Sequence, residues 1–186
     1  MSMILGSPVR PFRVLFAVLL SVIFIVPSVA QAQNAPEHDG FTLLLNIGVG
    51  TQKDPALSES VTAGLAGINL GIGGFLNERA ALWFRVSGTV ASHDIGVGSV
   101  TQTSGFAGPA LQYWTSERFA VEGGLGLGYW DVEGTNESGL GALLGVAYVF
   151  WTNGGHSLSV GAEYAPAFTD PDTVHNFGVV FGWQKN

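Results

Sequence analysis

The chain has 186 residues and no cysteine, which excludes disulfides, thiolate metal sites and a lipid-modified N-terminal cysteine. Its formal net charge of −7 excludes nucleic acid as an expected partner, because phosphate binding requires basic surface. Only 11% of residues are charged and 47% are hydrophobic, against roughly 25% charged in soluble domains, so a medium other than water is expected to cover much of the surface.

Arg10 and Arg13 precede an apolar run from Val14 to Val26, which Pro27 ends ahead of the small-residue triplet Ala30-Gln31-Ala32. This order is that of a cleavable secretory signal peptide, residues 1–32, with cleavage after Ala32. The run falls short of the roughly 20 residues a membrane-spanning helix needs. Residues 33–40 then form a short lead, and 41–186 the folded domain.

Glycine and polar punctuation divides that domain into eight segments: 41–50, 63–74, 80–92, 103–114, 119–130, 139–151, 157–168 and 175–184. Each is about ten residues or slightly longer; at about 3.3 Å per residue and a tilt of about 45°, such strands match the apolar band of roughly 25 Å in outer-membrane barrels. Their alternation separates two faces. In the third segment Leu82, Phe84, Val86 and Val90 oppose Arg85, Ser87 and Thr89. In the fifth, Phe119, Val121, Leu125, Leu127 and Tyr129 oppose Ala120, Glu122 and three glycines; in the seventh, Leu158, Val160, Ala162 and Tyr164 oppose Ser159, Gly161 and Glu163.

The large apolar residues are expected to face lipid, since the other face carries charges. A soluble lipocalin-like binder would carry the inverse pattern. The expected fold is all-β: an eight-stranded antiparallel up-and-down transmembrane β-barrel, closed because an unpaired backbone group in hydrocarbon costs several kcal/mol. Its axis is expected to hold glycine, alanine, serine and a few ionisable groups.

The links 51–62, 93–102, 131–138 and 169–174 are long, whereas 75–79, 115–118 and 152–156 are short. Outer-membrane barrels have long outer loops and short periplasmic turns, so both termini, the lead included, are expected in the periplasm. Trp83, Trp114, Trp151 and Trp183 then lie near the periplasmic strand ends as an aromatic girdle, and Trp130 near the outer end. Gly108-Pro109 predicts a β-bulge in the fourth strand, and Pro166 is expected at the outer rim of the seventh.

Asn176, Gly178, Phe181 and Trp183 stand in the polar-x-Gly-x-x-aromatic-x-aromatic order. This resembles the closing-strand signal that the barrel assembly machinery reads in bacterial outer-membrane proteins. With it, the chain after residue 32 resembles the small eight-stranded barrel family related to OmpA and OmpX, without a periplasmic domain. The resemblance implies a Gram-negative outer-membrane location, with membrane lipids, lipopolysaccharide and the assembly machinery as partners. It does not select among the roles of such barrels, which include membrane stabilisation, adhesion, narrow pores and lipid modification.

Arg85, Glu122 and Glu163 are expected to form a lumen charge cluster with Asn46, Asn69 and Gln112 as polar neighbours, because buried charges are tolerated only when paired. They read as a polar plug, or alternatively as a gate in a narrow pore for ions or small solutes. Asp131, Glu133, Asp170 and Asp172 are candidate cation-binding residues in acidic outer loops that could meet an extracellular ligand; no loop has an EF-hand pattern.

His156, Ser157, Ser159 and Glu163 are the residue types of a hydrolase such as a lipid A deacylase, but adjacent strand residues point to opposite faces and Leu158 stands two beyond His156. No catalytic residue, cofactor or metal is expected. The reading is a non-enzymatic membrane protein with a structural or surface-interaction role.

Overall fold

The computed structural model describes residues 38–53, 61–94, 99–132, 135–169 and 173–186. The expected signal peptide therefore lies outside the described residues. The strands are β1 (Phe41–Lys53), β2 (Val61–Asn77), β3 (Ala80–Asp94), β4 (Ser99–Ser116), β5 (Phe119–Val132), β6 (Thr135–Asn153), β7 (His156–Tyr164), β8 (Ala167–Phe168) and β9 (Thr173–Lys185).

Neighbours pair antiparallel in chain order, and β1 pairs with β9 from Leu43 opposite Lys185 to Lys53 opposite His175. That pairing closes the sheet into a ring of eight staves. The seventh stave is β7 and β8 together: both pair with β6 and β9, and Ala165-Pro166 interrupts them. Proline lacks the N–H that would continue the ladder. The flanking bonds survive, with Ala165 N–H donating to the Asn176 carbonyl (2.9 Å) and Ala142 N–H to that of Pro166 (3.1 Å).

The staves run past the expected segment ends, so the short links contract to two residues: Glu78-Arg79, Glu117-Arg118 and Gly154-Gly155. Gly154 and Gly155 both adopt positive φ (54° and 77°), the backbone of a tight hairpin whose twist matches its strands. The Asn77 side chain accepts from Arg79 N–H at 2.9 Å and stabilises the first turn in the same local way.

Alternation sorts the wall as the pattern predicts. Leu45, Ile47, Phe84, Leu125, Leu140, Leu144, Phe177 and Phe181 are exposed on the outside. Facing water, each would forgo roughly 1.5–3 kcal/mol of burial, so a hydrocarbon surrounding is what makes this surface stable. Thr42, Asn46, Gln52, Arg85, Ser87, Gln112, Glu163, Asn176 and Gln184 are buried along the axis.

Two expectations require correction. The axis is not filled by small and ionic groups alone: Trp83, Phe106 and Leu143 are fully buried there and pack with Leu44, Ala81, Ala110 and Ala165. Inward glycines on neighbouring strands make the room. A Cβ on Gly124 would stand 3.1 Å from the Phe106 ring, and one on Gly71 3.1 Å from the Trp83 ring.

Nor is there a bulge at Pro109. Phe84 stays opposite Pro109, and the register to β5 is the same at Ala107–Leu127 and Ala110–Gly124; only the pairs between them are missing. The exposed proline simply leaves a gap in the ladder. Register shifts fall elsewhere: between Asn46 and Gly48 against β2, between Ala66 and Leu70 against β3, and at the strand ends beside the short turns, at Phe75/Asn77, Trp114/Ser116 and Val149/Trp151.

Candidate functional site

Three strands deliver charge to the same depth of the axis. Arg85 on β3 has no solvent exposure; its Nε donates to Glu122 Oε1 on β5 at 2.8 Å, and its Nη2 to Glu163 Oε1 on β7 at 2.6 Å. Asn46 Nδ2 also donates to Glu163 Oε1 (2.8 Å), while Asn69 Nδ2 (2.6 Å) and Ser87 Oγ (2.9 Å) donate to its Oε2. Four donors thus converge on one carboxylate, which is how a buried charge is made tolerable. Glu122 receives the arginine alone among the bonds described.

Local structure puts these side chains in place. Asn69 shares the inward parity of Gly71 and stands opposite inward Asn46; its Oδ1 accepts from Gly88 N–H (3.0 Å) while its Nδ2 reaches Glu163. Gln112 stands opposite Glu122 in the β4–β5 ladder and accepts from Gln184 Nε2 at 3.4 Å; none of the bonds described links it to the charged groups. Sequence reasoning missed Ser87 as a partner, although its parity with Arg85 was legible.

A second polar layer lies toward the long links. Gln52 Nε2 donates to Ser104 Oγ (2.6 Å), Ser104 Oγ to Asn176 Oδ1 (2.5 Å), and Asn176 Nδ2 to the Ala165 carbonyl (2.8 Å). The sequence reading did not anticipate it, because Gln52 falls in the expected link 51–62 and joins β1 only as that strand runs on to Lys53. Between Glu122, Glu163, Gln112 and Gln184 the lumen has a cavity of about 20 Å³, room for one water molecule.

The girdle needs a correction. Trp83 and Trp114 are each 2% exposed and lie inside the barrel, because Trp83 shares the parity of Arg85, and Trp114 that of Gln112. Trp151 and Trp183 are the outward pair: each stands opposite Leu158 in the ladders, and Trp183 also stands opposite exposed Leu45. Within the closing-strand motif, Asn176 is buried in the lumen, Gly178 and Trp183 are partly buried, and Phe181 is exposed outside. All four stand opposite β1 and, apart from Asn176, opposite β7.

Of the candidate loop carboxylates, Asp131 stands opposite Asn136 and Thr103 at the end of β5, while Glu133, Asp170 and Asp172 lie outside the described residues. The hydrolase-like residues are not assembled. His156 stacks on Trp183 with ring centroids 5.5 Å apart, buried Ser157 contacts the Gln184 carbonyl (3.5 Å), and Glu163 is engaged by Arg85.

No protein-family model and no curated protein matches the chain. Solved structures do. Ail, the attachment invasion locus protein of Yersinia pestis, superposes with a TM-score of 0.59 at 16% identity, over 78% of this chain and 99% of that one. Neisserial surface protein A superposes with a TM-score of 0.56 at 15% identity, over 78% and 96%. The ring of eight antiparallel staves, apolar outside and polar within, is the fold of the small outer-membrane β-barrels, and this chain has it.

Proposed function

We propose that the protein is a non-enzymatic integral component of a bacterial outer membrane with a closed, polar-plugged lumen and a structural or surface-interaction role. The observation that carries this reading is the convergence of Arg85, Asn46, Asn69 and Ser87 on Glu163, beside a cavity of only about 20 Å³. A hydrated ion needs several waters' width, and the Trp83, Phe106 and Leu143 side chains occupy the same axis.

In this reading the turns at 78–79, 117–118 and 154–155 and both ends of the chain face the periplasm, and the links at the opposite end carry surface contacts. Membrane lipids and lipopolysaccharide surround the apolar wall, the assembly machinery meets β9 during insertion, and any extracellular ligand or cation meets the acidic loops.

Planar-bilayer recording of the purified protein tests the plug. Silence is expected; stable single-channel steps would replace it with the narrow-pore reading. Lipid A that changes mass in cells carrying the protein, and not in cells with a Ser159→Ala variant, would overturn the non-enzymatic part.

A further inference from the structure

The end of the barrel that carries the turns Glu78-Arg79 and Glu117-Arg118 has a hollow of about 670 Å³, and residues 38–40 fold against it. Gly40, at φ 68°, turns the chain, and its carbonyl accepts from Phe75 N–H at 2.8 Å. His38 is thereby placed against two aromatic rings, stacked on Phe75 (centroids 4.9 Å, interplanar 14°) and tilted on Trp114 (4.2 Å, 36°). Trp114 belongs to a buried apolar cluster with Ala120 and Val149, against which Phe75 packs.

The bonding of this ring defines its protonation state. Nδ1 lies 2.8 Å from the Glu78 carbonyl, which can only accept, so Nδ1 carries the hydrogen. Nε2 is buried and finds no protein partner. The docked ring is therefore neutral, since a proton on Nε2 would leave a buried charged donor unmatched. The charged groups around the hollow are Asp39 on its own segment, Glu78 and Arg79 on the β2–β3 turn, and Glu117 on the β4–β5 turn; none of them bonds Nε2.

We propose that His38 is a proton-released latch, holding residues 38–40 against the short-turn mouth when neutral and freeing them when protonated. Burial lowers the affinity of the ring for a proton below the ordinary imidazole value of 6.5, and the bond to the Glu78 carbonyl offsets this only in part. The docked state thus binds fewer protons than the free one. Docking is tightest above about pH 6.5 and weakens as pH falls through that value, up to tenfold per pH unit until the docked ring itself titrates. Release uncovers Phe75 and the Trp114 edge to whatever occupies the mouth.

The test follows the Trp114 indole N–H and the histidine ring signals by NMR from pH 8 to pH 5, with the protein in lipid nanodiscs. The expected result is a step in the Trp114 signal at or below pH 6.5. A His38→Phe variant, which keeps a flat apolar ring in place, should abolish the step while the barrel keeps its compact, heat-modifiable gel mobility. His156→Phe, at the other ring stack of this end, should leave the step intact. An unchanged Trp114 signal across the range in the parent, a step that survives His38→Phe, or one that vanishes in His156→Phe would each overturn the latch.

Discussion

Arg85 Nη2 donates to Glu163 Oε1 over 2.6 Å, with the arginine side chain wholly removed from solvent. An arginine in that position cannot be removed without leaving Glu122 and Glu163 close together, buried and without their common partner. Arg85→Ala is expected to destabilise the barrel by about 3–5 kcal/mol. Denaturant titration of the compact gel band in detergent checks this. A variant of unchanged stability that conducts ions would show the triad to be a gate instead of a plug.

The two carboxylates are unequal. Glu163 accepts from Arg85, Asn46, Asn69 and Ser87, and Glu122 accepts from Arg85 alone among the bonds described. Glu163→Gln inserts an NH2 group among donors and should cost about 3 kcal/mol or more, whereas Glu122→Gln leaves a neutral Arg85–Glu163 pair and should cost about 1 kcal/mol. The same unfolding titration ranks them, and the reverse order would contradict this account of the cluster.

Gly182 on β9 is the floor on which Asn46 lies. A Cβ there would stand 2.6 Å from both Asn46 Oδ1 and Ser159 Oγ. Gly182→Ala should therefore displace Asn46 from Glu163 and cost about 1–3 kcal/mol. Because the two changes break the same bond, the Asn46→Ala/Gly182→Ala double variant should lose less stability than the two single variants together, which a double-mutant cycle measures.

Pro109 interrupts the β4–β5 ladder without shifting it. Alanine at this position restores one N–H in a register that is already correct. Pro109→Ala should change stability by no more than about 1 kcal/mol and add one slowly exchanging amide, read by hydrogen exchange. A register change in the NMR contacts between Ala107 and Leu127 would show that the proline sets the pairing.

Trp83 and Trp114 face the axis, and Trp151 and Trp183 face outward. In bilayers of brominated lipid, replacing Trp151 or Trp183 with phenylalanine should lower the quenchable share of tryptophan emission. The same change at Trp83 or Trp114 should raise it. Equal responses at all four positions would restore the girdle read from depth alone.

The wall of the barrel was legible in the amino-acid order because side-chain direction in a strand has a period of two and needs no distant information. Leu82 and Phe84 against Arg85 and Ser87 already state which face is outside. The same parity placed Trp83 and Trp114 on the axis, where depth along the strand had suggested a membrane-interface role. Strand number was equally local, and closure followed from the cost of a bare sheet edge in hydrocarbon; the strict alternation of long and short links was not, since the expected link 131–138 shrinks to residues 133–134 between β5 and β6.

What only the tertiary structure decided is which inward groups meet. Asn69 and Glu163 are 94 residues apart in the chain, and Ser87 and Glu163 are 76 apart. Their encounter depends on the stagger of the whole closed ring, including the shift around Asn69 in β2. The depth of a residue along its own strand does not contain that stagger, which is why Ser87 was not expected to bond Glu163. Packing across the lumen, with glycines vacating space for Phe106 and Trp83, is decided by the same non-local geometry.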